Sequence, residues 1–566
     1  MKKLLFTCML LMAGWSYGQA QSWQWGKSGG SADAGSGGPD ETVIDMATDS
    51  HGNIYVLSRV MQTSLRVDGH TKTGYGAEDV LISSFKCDGS YRWSKNIGSN
   101  NQDLGRAIKT DTLGGVYVSG LLYCDFVTDY LDVDSSWSGR SFKSIFLLKY
   151  DTAGNYKWLR MPEPDSLTIF GTGSNTYDMD VDGGGNSAIL CRLNPGAYGN
   201  GGYVVPSYGH YILKYDKDGN FVGGHPMQIT GDVGGAIKWD HQLGRYYITG
   251  AIGGLSYFNT TVVSSSQYIG CFDYSGNLMW VKQGTDNYGY YSAFGRPAID
   301  AHHNIYLGGR ASSSDTFNSY AMINAGSTAV PVVYKLDTNG NNIWAKNATV
   351  NATVNATTFS SAIATNGNVV TLAGEYGGLL KWSGYPDSLN LPFGTLYAIF
   401  VTQFDANTGN ILYLDSLIHD AGTSDYATVV TNDKFGNFYV GGDFESTITV
   451  NGTVLTNLGG GSDFFVAKYG RTNCSVPISL EVEPVQVNDL NDIRVFPNPS
   501  TEELYITEVG KNVAYALYNV TGKCMMQGHL YEGRNTLDIL HLVPGIYILE
   551  MKSSDGERKV VRVAKD

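Results

Sequence analysis

The sequence predicts an all-β protein, and three observations carry that reading. Gly (71) and Tyr (38) abound, Pro (15) is scarce and only 16% of residues are charged, which is the composition of strands joined by many turns. Short runs rich in Val, Ile, Tyr and Phe alternate apolar with polar positions, as half-buried strands do. An Asp-x-x-Gly turn punctuates these runs from end to end, as at Asp49…Gly52, Asp151…Gly154, Asp273…Gly276 and Asp433…Gly436. Asp first and Gly fourth suit a type I turn that closes a hairpin.

Met1–Ala20 reads as a secretory leader, with Lys2-Lys3, an apolar core over Leu4–Ala13 and small residues before a cut between Ala20 and Gln21. The apolar run is about half of what a membrane-spanning helix needs. The formal net charge is −14, and loss of the leader's lysines makes it more acidic. Such a surface disfavours nucleic acid and anionic lipid. The six cysteines after the leader are scattered without paired spacing, so they are expected to be mostly reduced in a chain long enough to bury a core.

Two hairpin elements then alternate, each in seven copies. The first is seen in "IDMATDSHGNIYVLS" (44–58), "AIKTDTLGGVYVSG" (107–120) and on to "VVTNDKFGNFYVGG" (429–442). The second runs from "LISSFKCDGSYRW" (81–93) through "IFLLKYDTAGNYKW" (145–158) to "FFVAKYG" (464–470), where the last copy stops before its Trp-containing strand. Two hairpins make one four-stranded blade, and seven blades make a β-propeller. "WQWGKSGG" (23–30) supplies the missing strand: Trp25-Gly-Lys27 repeats Trp93-Ser-Lys95, Trp280-Val-Lys282 and Trp344-Ala-Lys346. The expected fold is therefore a seven-bladed propeller over 21–470, closed by its N-terminal strand. These repeats resemble the secreted bacterial propeller repeats of the SBBP and delta-60 type over roughly 23–470, a likeness that speaks for fold and is nearly silent on chemistry.

The connections between second and third strands, and those between blades, are long, and they share one face. They carry "NPGAYGNGGYVVPSYGH" (194–210), "QGTDNYGYYSAFGRP" (283–297) and "EYGGLLKWSGYPDS" (375–388). Tyr198, Tyr203, Tyr288, Tyr290, Tyr291 and Trp382 are the candidate ligand-binding aromatics, suited to stacking on sugars or to a protein paratope.

Gly26-Lys27-Ser28-Gly29-Gly30 has the spacing of a nucleophile elbow, but a flexible "SADAGSGGPDE" follows where a helix is needed. Asp216-x-Asp218-Gly-Asn220 and Asp337-x-Asn339-Gly-Asn341 open like calcium loops, yet Met227 and Ala348 stand where the acidic twelfth ligand belongs. His302-His303 replaces a turn Gly, and no carboxylate pair stands out for glycoside hydrolysis. No catalytic residue, metal ligand or cofactor is assigned. The expected function is binding or adhesion to a glycan or protein by a monomer. The alternative is a polysaccharide-acting enzyme with its site on the long-loop face or in the central channel.

Residues 471–492 read as a linker. Residues 493–566 follow with "IRVFPNPSTEELYI", "AYALYNVTGKCM", "NTLDILHLVPGIYILEM" and "ERKVVRVAKD", enough strands for a small Ig-like β-sandwich. Phe496-Pro497-Asn498-Pro499, Tyr518 with Gly522-Lys523, and Gly545 with Tyr547 resemble, in order and spacing, the type A C-terminal sorting domain of the type IX secretion system. The resemblance implies passage to the periplasm by the Sec route, recognition of the tail by an outer-membrane translocon and a sorting peptidase, and a secreted or outer-membrane-attached product.

Overall fold

The structure is a computed structural model. It describes residues 21–31, 41–122, 127–128, 144–162, 174–285, 294–349, 361–419, 423–470, 474, 490 and 493–566, apart from 62–63, 77, 100, 200–201, 232, 253, 312–314, 323–328, 392–396, 460, 510–512, 532 and 554–557. The chain divides after Cys474 into two units. Among the described residues there is no α-helix. Residues 1–20, expected to be a leader, and most of 471–492 lie outside them.

The first unit is built from four-stranded antiparallel sheets, each a meander in chain order. Sheet 1 holds Thr42–Thr48, Ile54–Val60, Asp79–Phe85 and Tyr91–Gly98, and sheet 2 holds Leu104–Thr110, Gly115–Leu122, Ser144–Asp151 and Tyr156–Arg160. Sheet 3 holds Asn175–Val181, Ser187–Leu193, Gly209–Tyr215 and Phe221–Pro226. Sheet 4 holds Ala236–Asp240, Arg245–Thr249, Tyr268–Asp273 and Leu278–Gln283. Sheet 5 holds Ala298–Ile299, Ile305–Ala311, Val330–Leu336 and Asn342–Thr349. Sheet 6 holds Ser361–Thr365, Val369–Tyr376, Ala398–Asp405 and Ile411–Ser416. Sheet 7 has three strands in sequence, Asp425–Asn432, Phe438–Phe444 and Asp463–Gly470, and its fourth is Ser22–Ser31. Trp25 stands opposite Lys468 there, and Gly29 opposite Phe464. First strands of successive sheets are neighbours, and 425–432 neighbours 42–48 in turn. The arrangement is propeller-like.

The Asp turns have a definite chemistry. Asp49 accepts the N–H groups of His51 and Asn53 on one oxygen, and the Asn53 amide and Tyr55 hydroxyl on the other. Asp300 with Tyr306 and Asp433 with Tyr439 repeat the set. Each carboxylate thus satisfies the turn and ties it to the second strand.

Sheets are stapled to their successors by tryptophan. The indole N–H groups of Trp93, Trp158, Trp280 and Trp344 donate to the carbonyls of Thr152, Lys217, Thr338 and Ala406, in the outer turn of the next sheet, at 3.1, 3.3, 3.2 and 3.1 Å. Trp25 donates to Cys87 O at 2.8 Å in the same way. Under each ring lies a turn glycine at positive φ (Gly89 under Trp25, Gly154 under Trp93), where a Cβ would come within 2.9 and 2.8 Å of the indole.

Two features depart from the sequence expectations. The long second-to-third connections are not free loops. Most carry a small hairpin, and these connections dock on the end of the preceding sheet's outer strand or on the residues just after it. Val67 pairs with Gly29, Val127 with Gly98, Phe258 with Ile229, Phe317 with Gly284, Trp382 with Ala348 and Thr449 with Ile418. Gly199 N donates to Pro162 O. An unpaired outer edge invites association, and covering it removes that hazard. Second, the cysteines are not all reduced: Cys87, in the outer turn of sheet 1, is disulfide-bonded to Cys474, just past sheet 7. Burial brings together residues 387 apart in sequence, which spacing cannot show. Cys271 and Cys524 are free thiols.

In the second unit, Arg494–Phe496, Glu503–Val509 and Gly533–Asp538 form one sheet, and Cys524–Leu530, Val513–Asn519, Gly545–Ser553 and Arg558–Lys565 another. Leu504, Ile506, Leu517, Leu549 and Val563 share one core between them.

Because Trp25 occupies the same setting as the other four rings, Trp25→Ala is expected to destabilise the first unit by about 2–3 kcal/mol, somewhat below the loss for a fully buried Trp. Trp93→Ala should match it in urea unfolding. A loss under ~0.5 kcal/mol for Trp25→Ala alone would contradict the equivalence.

Candidate functional site

The first strands surround an axis, and their polar side chains are directed by a simple need. An innermost strand has a bare edge of N–H and C=O groups. Asp45 of sheet 1 accepts Ile108 N of sheet 2, and Asp178 and Asp180 of sheet 3 accept Ile237 N and Trp239 N of sheet 4. Thr428 Oγ1 donates to Val43 O, Thr48 Oγ1 to Asn432 O and Thr110 Oγ1 to Thr48 O.

These carboxylates also hold cations. Arg296, on the link into sheet 5, donates NH1 to Asp45 Oδ1 at 2.6 Å and Nε to Asp178 Oδ2 at 2.8 Å, with a further bond from NH2 to Asp178 Oδ1. Lys109 pairs with Asp45, and Lys238 with Asp180 at 2.8 Å. Burial alone would raise the Asp45 carboxyl; Arg296 and Lys109 outweigh it and hold the group below its ordinary value. At Asp180 burial is likewise overridden, by Lys238 and Lys109. Burial disfavours the Arg296 charge, but Asp178 and Asp45 raise its pKa well above the usual value.

Arg296 and Pro297 line two cavities near the axis. The larger, about 490 Å³, lies where the first strands begin, with Gly235, Ala251, Ala362 and Thr428 on its walls beside Tyr177 and Phe294. The smaller, about 290 Å³, lies on the Asp-turn side and carries Lys109, Lys238, Asp45 and Asp180. At Gly250 (φ 148°) a Cβ would meet Gly234 O at 2.0 Å, so only glycine keeps this wall of the larger recess.

The aromatics singled out from the sequence lie elsewhere. Tyr198 is fully buried, its hydroxyl on Ser174 Oγ and Asn194 O. Trp382 is fully buried, donating to Thr402 Oγ1 and packed on Phe404. Tyr203 is half-buried against Gly224. All three sit on docked hairpins or next to them, and docking turns loop aromatics into core. Tyr288, Tyr290, Tyr291 and Ala20 lie outside the described residues, and Gln21 is half-buried at the head of the closing strand. In the two calcium-like loops the leading Asp216 and Asp337 are engaged by their own turns. The axial cluster escaped sequence reasoning, although a charge inside an apolar first strand (Asp45, Lys109, Asp178, Lys238) was a readable sign.

In the tail, Asn498 brackets the last strand, its amide donating to Arg562 O at 2.7 Å and its oxygen accepting Ala564 N at 2.8 Å. Asn519 Oδ1 accepts the N–H groups of Thr521 and Lys523 around Gly522, and Tyr547, buried, donates to Val543 O. Gly545 opens the strand that carries Tyr547, Tyr518 is half-buried, and Phe496 is exposed beside Tyr505 with Pro497 and Pro499 following. Residues 494–564 match the family described as "Secretion system C-terminal sorting domain". The protein is secreted or attached to the cell surface.

No curated protein matches the chain. Among solved structures, PorZ of Porphyromonas gingivalis, described as an essential bacterial surface component of the type-IX secretion system, is 10% identical over 93% of this chain and 81% of its own, with a TM-score of 0.23. The Pan2 WD40 domain of Neurospora crassa is 10% identical over 77% and 97%, TM-score 0.34. A protein of unknown function from Dyadobacter fermentans is 9% identical over 78% and 98%, TM-score 0.32. At such values fold and function are read from this chain's own residues.

Arg296→Met leaves two buried carboxylates without their shared cation, and is expected to destabilise the first unit by about 3–5 kcal/mol near neutral pH. In the wild type the contribution of Asp45, whose pKa is lowered on folding, is present above its unfolded value and lost as pH falls through the folded one. Protonated carboxyls need no guanidinium, so the gap between variant and wild type should close below about pH 4. Urea unfolding across pH 3–7 checks this, and a gap independent of pH would contradict it.

Proposed function

We propose that this protein is an exported seven-bladed β-propeller, closed by its N-terminal strand, which binds an extracellular glycan or protein at the larger axial recess. Closure is supported by the pairing of Ser22–Ser31 with Asp463–Gly470 and by the fifth tryptophan staple. The observation that carries the binding reading is the state of the channel carboxylates. Asp45 and Asp178 share one guanidinium and also accept backbone N–H groups. A glycosidase acid must hold a proton near neutrality, whereas Asp45 is held ionised. The 490 Å³ recess above Arg296 has the size of a ligand site and walls of small residues.

The tail acts as the address. Its domain boundaries are 21–470 for the propeller, 471–492 for the linker and 493–566 for an Ig-like sorting domain, after a Sec leader over 1–20. Recognition belongs to the type IX translocon and its peptidase, and the propeller works as a monomer on the outer-membrane surface or beyond it.

Glycan and protein arrays with the secreted protein test the binding role. A hit should be lost in Ala251→Phe, which fills the recess, with the unfolding midpoint unchanged. Silence on both arrays together with turnover of a polysaccharide would overturn the reading. Deletion of 493–566 is expected to leave the protein in the periplasm, and its arrival at the surface would contradict the assignment of the tail.

A further inference from the structure

The contact between sheets 2 and 3 breaks the repeat in two places at once. In the Trp-x-Lys triplets the lysine two residues past the ring is Lys27, Lys95, Lys282 or Lys346; here it is Arg160. The docked hairpins of sheets 1, 5 and 7 turn on Asp68, Asn318 and Asn451, each at positive φ, and each side chain makes a polar contact, Asp68 with the preceding sheet and the two asparagines within their own sheets. Asp68 pairs with Lys27 at 3.0 Å, Asn318 donates to Gly340 O and Asn451 to Gln24 O. In sheet 3 the residue that follows the hairpin's first strand is Gly199 (φ 61°), which has no side chain to make such a contact. The Phe221 ring lies against this glycine, where a Cβ would come within 2.4 Å of it, and beside them is a cavity of about 460 Å³, lined by Gly199, Arg160, Met161, Pro162, Tyr215 and Phe221 among others.

Two groups in it lack partners suited to them. The Arg160 guanidinium donates only to carbonyls, those of Gly219 (2.6 Å), Leu159 (2.8 Å) and Asp218 (3.2 Å), and no carboxylate of the described residues pairs with it. Five N–H donors leave some over after those three bonds. Tyr215 is 2% exposed, and its hydroxyl is buried without a hydrogen-bond partner. Such a group costs free energy until something accepts from it.

We propose that this cavity is a subsite for an acidic sugar ring, a uronate, whose carboxylate sits on Arg160 and whose ring or hydroxyl oxygen accepts from Tyr215. The unmet groups are donors, and a sugar carries acceptor oxygens around its whole perimeter. A guanidinium with donors to spare favours the carboxylate of an acidic sugar over the neutral carbonyls of a peptide. A guanidinium is the preferred partner of a carboxylate because two parallel N–H bonds fit its two oxygens. Met161, Pro162 and the Phe221 ring supply apolar surface for the face of a pyranose. Burial pushes the Tyr215 phenol above its ordinary value, so it remains a neutral donor. The site lies apart from the axial recess and stands independently of the function proposed for it.

Titration of the secreted protein with galacturonate and glucuronate, followed by saturation-transfer NMR, tests this. Galactose, glucose and acetate serve as comparators. The acids should bind at least tenfold more tightly than the neutral hexoses and than acetate. Arg160→Gln should abolish that preference, and Arg160→Lys, which restores the repeat residue and the charge, should recover part of it. Tyr215→Phe should weaken both uronates about fivefold, while Ala251→Phe leaves them unchanged. Equal binding of neutral sugars, equal binding of acetate, an Arg160→Lys and Tyr215→Phe pair that bind like wild type, or no binding at all would each overturn the proposal. Loss of uronate binding in Ala251→Phe would place it in the axial recess instead, and overturn it as well.

Discussion

Sheet 7 takes its fourth strand from the other end of the first unit, and the hydrogen-bonded pairing of residues 22–31 with 463–470 is the contact on which the remaining order depends. Without it sheet 7 has three strands, its third strand becomes a bare edge, and the Trp25 ring has no Cys87 carbonyl to meet. The disulfide from Cys87 to Cys474 lies at the same junction. In the chain-entropy view a cross-link over so long a loop removes more than ~4 kcal/mol of disorder from the unfolded state. Strand, indole and disulfide act on one seam because every other contact between sheets has the continuous chain to support it.

The second constraint is the treatment of edges. Each sheet has an inner and an outer edge, and the molecule answers them with different chemistry. Inside, Asp45, Asp178 and Asp180 cap N–H groups of the next sheet and are themselves neutralised by Arg296, Lys109 and Lys238. Outside, short hairpins cover what the fourth strands leave open. Function is expected where this regular answer lapses. It lapses at Arg296, a link residue that crosses the axis, and at Gly199 and Arg160, where a repeat position loses its side chain and another gains a guanidinium.

Strand content and the order of hairpins were legible in the sequence because each strand carries its own period and each turn its own Asp and Gly. The partner of the Trp25 strand was legible for a related reason: a repeat with a missing part announces what is missing. The docked hairpins were not legible, since strands of two to four residues such as Tyr203–Val205 or Leu379–Trp382 carry no measurable period. That omission made Tyr198 and Trp382 look like ligand aromatics when the docking of their own hairpins buries them. The axial site was hidden for another reason. Asp45 and Asp178 from two sheets meet Arg296 from the link into a third, and no spacing rule joins residues so far apart. The disulfide was hidden in the same way. In the tail, by contrast, the residues that resemble the sorting signal also do local work that a sequence can show, as Asn498 and Asn519 do in their turns.

Export fits this construction. A protein that is to stand outside the cell gains from edges that are covered, a junction locked covalently where oxidants are present, and an acidic surface that resists association. The seam is the central claim, and mapping the cysteines of the secreted protein under non-reducing conditions tests it most directly. Peptides containing Cys87 and Cys474 should be recovered joined to one another, with Cys271 as a free thiol. Recovery of Cys87 and Cys474 unlinked, or of either joined to another cysteine, would contradict the account of how the two ends of the first unit meet.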